Sequence, residues 1–235
     1  NGRRDRYGIF GEWEARWSPQ WQSQVGLRSS SMNMNSGNVQ GYNTMGGMMG
    51  YGDPANPATI PGAFNAAGRK KTDHNIDLTA LARYTPDAST SFEAGFARKT
   101  RSPNLYERFA WSSNNNMVMN MINWFGDGNG YVGNLNLKPE VANTLSATAS
   151  WHDAGREKWA LNVTPYYTHV ENYIDAVSCA AVGKTCPART DGFANLSFAN
   201  QSARLYGVDV SGSMPLAHDS SYGSLSATGL LSYVN

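Results

Sequence analysis

The sequence lacks any apolar run long enough for a transmembrane helix. Its longest apolar runs are only a few residues, whereas a spanning helix needs about 20 apolar residues. It also lacks an excess of one charge, because the formal net charge is +1, and this balance gives no argument for nucleic-acid binding. No secretory signal peptide opens the chain, and Asn1 is not a natural start. We therefore expect an internal piece of a longer protein.

Cysteine is nearly absent, with only Cys179 and Cys186, seven positions apart. A disulfide that closes a small loop between them fits an oxidising compartment. The alternative is a metal-binding cysteine pair. Zinc pairs usually have tighter spacing and need further ligands, and none is adjacent in the sequence. The spacing therefore favours a disulfide.

The sequence is instead rich in residues that form strands and turns, with 24 Gly, 12 Tyr and 7 Trp. Its dominant pattern is the alternation of apolar and polar residues that a half-buried strand requires. In the first segment, Tyr7, Ile9 and Trp13 fall on one face. Glu12 and Glu14 fall on the other. The pattern predicts about eight strands in four hairpins, over residues 7–17, 21–28, 74–84, 90–99, 140–152, 159–170, 204–214 and 224–234.

The predicted connections alternate between short and long. Short turns are predicted at 18–20, 85–88, 152–158 and 215–220, and long loops at 29–73, 100–139 and 176–200. Outer-membrane barrels have this alternation, and they carry aromatic residues near the ends of a lipid-facing band. A soluble sandwich would scatter its long loops over both ends. We therefore predict an all-β, transmembrane antiparallel β-barrel, with Pro165 at a bulge because proline cannot donate to a strand ladder.

Two segments carry a family resemblance, ARKTRSPNLYERF at 97–109 and GNLNLKPEVANTLSATASW at 133–151. Together they resemble the barrel signature of TonB-dependent outer-membrane receptors. The matching residues are Arg101, Ser102, Pro103, Leu105, Tyr106, Glu107, Gly133, Asn134, Leu135, Leu137, Lys138, Pro139 and Glu140. Two later segments, VENYIDAV and ARLYGVDV, also look like family strand motifs, with Asp209 where a Glu is common.

The resemblance implies a barrel of about 22 strands that is plugged by an N-terminal domain. Residues 1–235 would supply about eight of these strands, and the plug and the last strands would lie outside this chain. The parent protein must close the sheet, because open strand edges are not viable in lipid. The implied location is the bacterial outer membrane. The implied partners are the TonB energy-coupling complex, reached through the plug, together with membrane lipid, lipopolysaccharide and a transported metal or chelate, and no nucleic acid.

Methionine is concentrated in the predicted long loops, which hold eight of the nine. Thioethers are soft donors that favour Cu(I), and a Met-x-Met step in an extended segment puts both sulfurs on one side. His74 could add an imidazole ligand. The predicted metal ligands are Met32, Met34, Met45, Met48, Met49, Met117, Met119, Met121 and His74. The geometry at 117–121 requires an extended segment, since in a helix Met119 would point away from the other two.

Loop packing is the alternative explanation of these methionines, because methionine adapts to irregular cores and Trp124, Phe125 and Tyr131 lie nearby in the sequence. Another ligand is a further alternative. The run from RSPNLYER to LKPE resembles the copper-specific branch of the receptors, which favours copper over a siderophore. The leading hypothesis is therefore an active-transport receptor for copper or a copper chelate. The alternatives are a siderophore or haem receptor, a passive porin and an adhesin.

The remaining candidate residues carry weaker predictions. No catalytic constellation is apparent, so we do not predict an enzyme. His152 and His218 are predicted to be solvated at turns, and His169 is a minor candidate ligand near the end of a strand. Asp127 in FGDGNG is predicted to form a turn rather than a cation site. The segment Tyr106 to Arg108 is predicted to pin its loop or to line the lumen.

Overall fold

The computed structural model describes residues 1–40, 53–112, 121–122, 125–155, 158–184, 186, 188, 192–220 and 223–235. In this part of the chain, ten strands form one sheet. The elements in chain order are β1 Gly2–Arg16, β2 Trp21–Ser36, α1 Ile60–Ala66, β3 Lys71–Asp87, β4 Thr90–Arg101, α2 Leu105–Phe109, β5 Met121–Ile122, β6 Gly130–Val132, β7 Glu140–His152, β8 Ala160–Ser178, a 3-10 helix Cys179–Val182, β9 Asn195–Ser220 and β10 Gly223–Val234.

The eight long strands are antiparallel to their neighbours and lie in the order β1-β2-β3-β4-β7-β8-β9-β10. The two short strands belong to a loop: β6 pairs in parallel with β9, and β5 pairs with β6. This strand order confirms the prediction of an all-β antiparallel fold. Period-two alternation specifies the strands, and short turns join them as hairpins. We call the end with the short turns the turn end and the other the loop end. None of the described helices is long and apolar enough to cross a membrane.

The two faces of the sheet differ in polarity. Trp13 pairs with Val25, and Val25 pairs with Ala80, so these side chains share one face. We call this the apolar face. Its large side chains are exposed, and Ile9, for example, is 75% accessible. The opposite, polar face carries charged pairs such as Arg83 with Glu93, whose Nη2 and Oε2 lie 2.7 Å apart.

The turn predicted at 215–220 is wrong. Strand β9 continues to Ser220, and the last hairpin closes where Ser220 pairs with Gly223. Pro215 lies within the strand, opposite Ser226. Two register shifts on either side of Leu225 absorb the irregular stretch of β9, so the chain stays extended through residues whose composition is typical of a turn.

The bulge predicted at Pro165 is also wrong. Pro165 pairs with Val208 without a register shift, and the irregularity in β8 lies instead between Val170 and Tyr173. Asn172 has a φ of 56° there, a conformation that asparagine tolerates better than most residues. Pro165 has no N–H to donate to the neighbouring strand β7. The ladder between β8 and β7 is accordingly interrupted between Tyr166 and Val163.

His152 is buried, so the prediction that it is solvated is wrong. It ends β7 with its Nδ1 2.8 Å from the carbonyl oxygen of Asp153. The side chain of the next residue, Asp153, accepts the backbone N–H groups of Lys158 and Trp159. The side chain of His218 lies outside the described residues.

Hydrophobic side chains are buried at the loop end, in two clusters. The first loop cluster contains Met32, Met34, Phe64 and Phe109. The second loop cluster contains Tyr131, Leu137, Ile174 and Phe198. Both combine the ends of long strands with residues of the long loops, so the described parts of the loops fold back onto the sheet and share its core.

Candidate functional site

The helix α2 begins the second long loop, and a capping box fixes its start. The side chain of Asn104 accepts N–H groups from Tyr106 and Glu107, at 2.9 and 2.8 Å. The Glu107 carboxylate in turn accepts the N–H of Asn104 at 2.7 Å. This reciprocal pair satisfies donors that a helix end leaves free.

The same carboxylate belongs to a polar network that joins three strands to α2. Arg101 at the end of β4 donates to Glu107 at 3.0 Å and to Glu140, at the start of β7, at 2.5 Å. Glu140 also accepts the backbone N–H of Ile174 in β8 at 2.7 Å. Arg101, Glu107 and Glu140 of the family resemblance therefore hold the ends of adjacent strands together.

A buried ion pair fixes the second loop to β3. Arg108 donates to both carboxylate oxygens of Asp73, at 2.8 and 2.7 Å, and to the carbonyl of Leu137 at 2.7 Å. Only 2% of the Arg108 side chain is exposed. Gly133 passes close to this arginine, since a Cβ there would lie 2.7 Å from the Arg108 carbonyl carbon and oxygen. The close approach explains the need for glycine.

Two of the predicted metal ligands, Met32 and Met34, are packing residues of the first loop cluster. Both lie on the polar face of β2, opposite Arg6 and Arg4. Arg4 Nε donates to the Met32 sulfur at 3.1 Å, and Arg108 Nη1 lies 3.8 Å from the Met34 sulfur. Cationic donors that point at a thioether are poor neighbours for a metal cation, so the arrangement corresponds to the packing alternative.

His74 is not brought together with these sulfurs. It pairs with Ser31, one position away from Met32 in the ladder, and therefore lies on the opposite face of the sheet. Its Nδ1 is 3.0 Å from the Ser31 hydroxyl, and the ring is exposed. His169 also lies on the apolar face, paired with Asn143.

The other predicted methionine ligands are mostly outside the described residues, namely Met45, Met48, Met49, Met117 and Met119. The backbone of Met121 is described and is extended in β5, opposite Tyr131. Among the described residues, no group of three His, Cys, Asp or Glu side chains could hold a metal ion.

Asp127 accepts hydrogen bonds within its own loop. The Tyr131 hydroxyl donates to it at 2.5 Å and the Asn129 side chain at 2.7 Å. The hydrogen bond from Tyr131 is the main cause that lowers the pKa of Asp127. Burial, followed by the bond to Asp127, raises the pKa of Tyr131 to about 12. The carboxylate therefore stabilises a turn, as FGDGNG predicts.

The cysteines form a disulfide, with sulfurs 2.01 Å apart. Within the loop that it closes, Gly183 has a φ of 67° and the Lys184 N–H donates to the Cys179 carbonyl at 2.9 Å. The Lys184 ammonium donates to the carbonyl of Gly133 and to the Ser197 hydroxyl. Desolvation by burial lowers the pKa of Lys184. The loop thus places a partly buried cation between the second long loop and β9.

A cavity of about 540 Å³ opens where the three long loops meet. Its lining residues are Ile60, Ala63, Phe64, Ala67, Gly68, Lys71, Arg108, Ala110, Trp111, Val132, Gly133, Asn134, Leu135, Asn136, Lys184 and Cys186. Sequence reasoning missed Lys71, Lys184 and Asp73 as residues of this region. Of these three residues, only Lys184 could have been found from the sequence, because it lies between two cysteines that close a small loop.

Long strands with an exposed apolar face, a polar opposite face and loops folded back at one end define the wall of a membrane β-barrel. The chain belongs to the TonB-dependent receptor family: residues 1–235 match the family described as TonB dependent receptor-like, beta-barrel. The family resemblance of the sequence is thereby confirmed. Members of this family are outer-membrane transport receptors that couple to TonB.

Solved structures with the same fold include three receptors of low sequence identity. A copper transporter, OprC, is 18% identical with a TM-score of 0.64, covering 98% of this chain and 29% of that one. The siderophore receptor PirA from Pseudomonas aeruginosa is 18% identical with a TM-score of 0.55, covering 100% and 43%. A double mutant of the Serratia marcescens hemophore receptor HasR, solved with HasA and heme, is 14% identical with a TM-score of 0.60, covering 90% and 32%.

The chain therefore spans less than half the length of each of these three proteins. At such identities the likeness shows the fold and not the cargo. No curated protein sequence matches the chain.

Proposed function

We propose that this chain is the barrel part of an outer-membrane active-transport receptor that takes up a metal or metal chelate, with copper as the first cargo to test. The plug, supplied by the rest of the parent protein, would couple transport to the TonB complex. Membrane lipid and lipopolysaccharide would surround the apolar face. The family membership supports the receptor class, and the methionine-rich loops support copper because thioethers favour Cu(I).

The observation that carries the proposal is that the two methionine-rich loops share one anchor. Met34 from the strand before the first loop packs in the same cluster as Phe109 of the second loop. The ion pair between Asp73 and Arg108 joins the start of β3, which follows the first loop, to the second loop. Both loops are therefore anchored at one end of the sheet. The proposed methionine ligands are Met32, Met34, Met45, Met48, Met49, Met117, Met119 and Met121, of which the first two also pack in the first loop cluster.

The test is the copper content of the purified full-length receptor, measured by mass spectrometry of the metal. Changing Met117, Met119 and Met121 together to leucine keeps the apolar volume and removes three soft donors. We expect bound copper to fall by at least half. Met214→Leu is the matched control, because Met214 is exposed in β9, away from the long loops. An unchanged copper content in the triple variant would remove these residues from the site.

A siderophore or haem receptor is the second candidate. The cavity with aromatic and cationic lining residues favours it, since such groups suit an organic chelate better than a bare cation. Cells that depend on this receptor would then grow on a ferric chelate or haem as the sole iron source. A passive porin or an adhesin would lack the plug and coupling segment, so reading the upstream sequence of the parent protein separates these classes.

A further inference from the structure

A row of polar side chains crosses the apolar face of the sheet near the loop end. Its members, each paired with the next across the ladder, are Arg98 in β4, Asn143 in β7, His169 in β8 and Arg204 in β9. Directly opposite residues point to the same side of a sheet, and Arg98 lies two positions from Phe96 of the apolar face. We call these four residues the polar row.

The chain does not balance the charges of the polar row. Arg98 Nη1 donates to the Asn143 side-chain oxygen at 3.5 Å. Neither Arg98 nor Arg204 forms an ion pair with a carboxylate of the described residues. His169 Nδ1 is buried and has no hydrogen-bond partner in the described part of the chain. Glu171 follows in β8, and even with its charge counted the two arginines leave this surface positive.

Arg3 is the contrasting case on the same face. It lies an even number of residues from Trp13 in β1 and therefore on the same side of the strand. Its Nε is 2.7 Å from the carboxylate of Asp5. A charge on a lipid-facing surface is unfavourable unless it lies near the interface or has a partner. Arg3 has its partner within the chain, whereas the arginines of the polar row require an anion from outside.

The polar row lies at one edge of the apolar band. The next pair toward the turn end on this face is Tyr167 with Tyr206, and both rings are exposed. Membrane barrels carry such aromatic residues where hydrocarbon meets the lipid headgroups, and their long loops are extracellular. The polar row is therefore at the level of the headgroups of the outer leaflet.

An apolar groove of about 450 Å³ lies on the same face, toward the turn end. Ala82, Ala94 and Ala147 line it side by side on β3, β4 and β7. The large aromatic residues that line it are Trp21, Tyr84, Phe92 and Trp151. Ala94 is four residues from Arg98, or about 13 Å along the strand, which is within the roughly 15 Å depth of one leaflet. An acyl chain whose head lies at the polar row can therefore reach the groove.

We propose that this face holds one lipopolysaccharide molecule, with the phosphates of its lipid A on Arg98 and Arg204 and an acyl chain in the apolar groove. A guanidinium binds phosphate oxygens through paired N–H donors. Arg98 and Arg204 are separated by three strand spacings, about 14 Å, so a head with two phosphates suits them better than a head with one. This lipid site goes beyond the proposed transport function and does not depend on the cargo.

The experiment uses native mass spectrometry of the purified full-length receptor in detergent, with bisphosphorylated lipid A as the probe. Monophosphorylated lipid A is the matched probe, because it has the same chains and one phosphate fewer. We expect it to bind about tenfold more weakly, since a charge-assisted contact to a phosphate contributes about that factor.

Variants separate the head of the site from the groove. Arg98→Gln combined with Arg204→Gln should weaken binding of the bisphosphorylated probe by about a hundredfold and remove the preference between the probes. Lysine at both positions keeps the charges and should retain most of the preference. Arg3→Gln is the matched control and should change neither probe. Ala147→Leu fills the groove from an exposed position and should weaken both probes equally, by about fivefold, the factor for roughly one buried methylene.

Several outcomes would overturn the proposal. Equal binding of the two lipid A probes by the unchanged receptor is one, and a full preference in the double glutamine variant is another. Phosphatidylglycerol that binds as tightly as lipid A would assign the surface to phospholipid instead. A receptor dimer that disappears in the double glutamine variant would assign it to a second copy of the chain. A failure of copper uptake would leave all of these measurements unchanged, so the lipid site and the transport function are tested separately.

Discussion

Apolar side chains are exposed at the turn end of the sheet and buried at the loop end. At the turn end, the strands expose apolar side chains on one face, as Trp13 does at 53% accessibility. At the loop end, strand ends and loops bury theirs, and Met34 and Tyr131 are each only 2% accessible. The same strands therefore contact different environments at their two ends. A membrane supplies the apolar contact at the turn end, whereas the long loops supply it at the loop end.

The comparison predicts that equivalent substitutions have unequal effects at the two ends. Removing a side chain at the loop end opens a cavity or leaves a buried charge, and both are costly. Removing an exposed side chain on the apolar face changes only contacts with the surrounding lipid or detergent. The predictions below are ordered from the largest expected effect to the smallest.

The largest effect is expected from breaking the buried ion pair. Arg108→Met leaves the Asp73 carboxylate buried without a partner, and we expect a loss of about 3–5 kcal/mol of loop stability. Arg83→Gln is the control, because its ion pair with Glu93 is half exposed and contributes about 0–1 kcal/mol. Hydrogen exchange of peptides that cover 102–112 in the full-length protein measures both. Similar protection in the two variants would contradict the difference between the ends.

The first loop cluster gives the second prediction. Met34→Ala should destabilise the loop end by about 2–5 kcal/mol, whereas Met34→Leu should cost less than about 1.5 kcal/mol because the volume is kept. Leu231→Ala is the control on the exposed apolar face, where Leu231 lies opposite Val210. Exchange rates of the 30–36 segment give the comparison. Bound copper that falls in Met34→Leu while stability is kept would show that this sulfur is a ligand after all.

The disulfide loop gives a third, smaller effect. Replacing Cys179 and Cys186 together with serine should cost about 2 kcal/mol of local stability, mainly because a short closed loop gains freedom when opened. Thermolysin cleavage within 179–194 should accelerate, and cleavage at the turn 153–159 should not. Equal cleavage rates at 179–194 in both proteins would show that Lys184 and its hydrogen bonds hold the loop without the disulfide.

The smallest effect is expected from the hydrogen bond between Tyr131 and Asp127. Because this bond lowers the pKa of Asp127, its contribution is present above the ordinary carboxyl pKa and disappears as the pH falls through the lowered value. Tyr131→Phe should therefore increase exchange in 125–132 near neutral pH, and the difference from the unchanged protein should vanish in acid. A difference that persists in acid would assign the effect to lost packing of the hydroxyl instead.

The sequence predicted the strands well because their signal is local. Alternation in segments such as 7–17 specifies both the strand and its two faces, and the four hairpins follow from it. The errors at Pro165 and at 215–220 arose where a residue type typical of turns was accommodated by its neighbours in the sheet. Composition shows that a proline is costly in a strand, but not how the neighbouring strands accommodate it.

The candidate site was much less predictable. Met32 and His74 lie on opposite faces of the sheet because β2 and β3 pair continuously at this point. Residues 29–73 were predicted to be a loop, so the face on which Met32 lies was not predictable. Asp73 and Arg108 are 35 residues apart, and no local pattern joins them. Lys71, at the start of β3, and Lys184, in the disulfide loop, line the same cavity although they are far apart in the sequence. The chemistry of such a site is set by tertiary contacts, whose partners are distant in sequence.

The parallel pairing of β6 with β9 has a geometric consequence for the rim of the sheet. The second long loop leaves β4, reaches β9 through the pairs Gly130 with Asn195 and Val132 with Ser197, and returns to β7. The loop therefore connects across the ends of the neighbouring strands β4, β7, β8 and β9. A connection of this kind limits how far these four strands can separate, and releasing β6 from β9 would allow this part of the rim to widen.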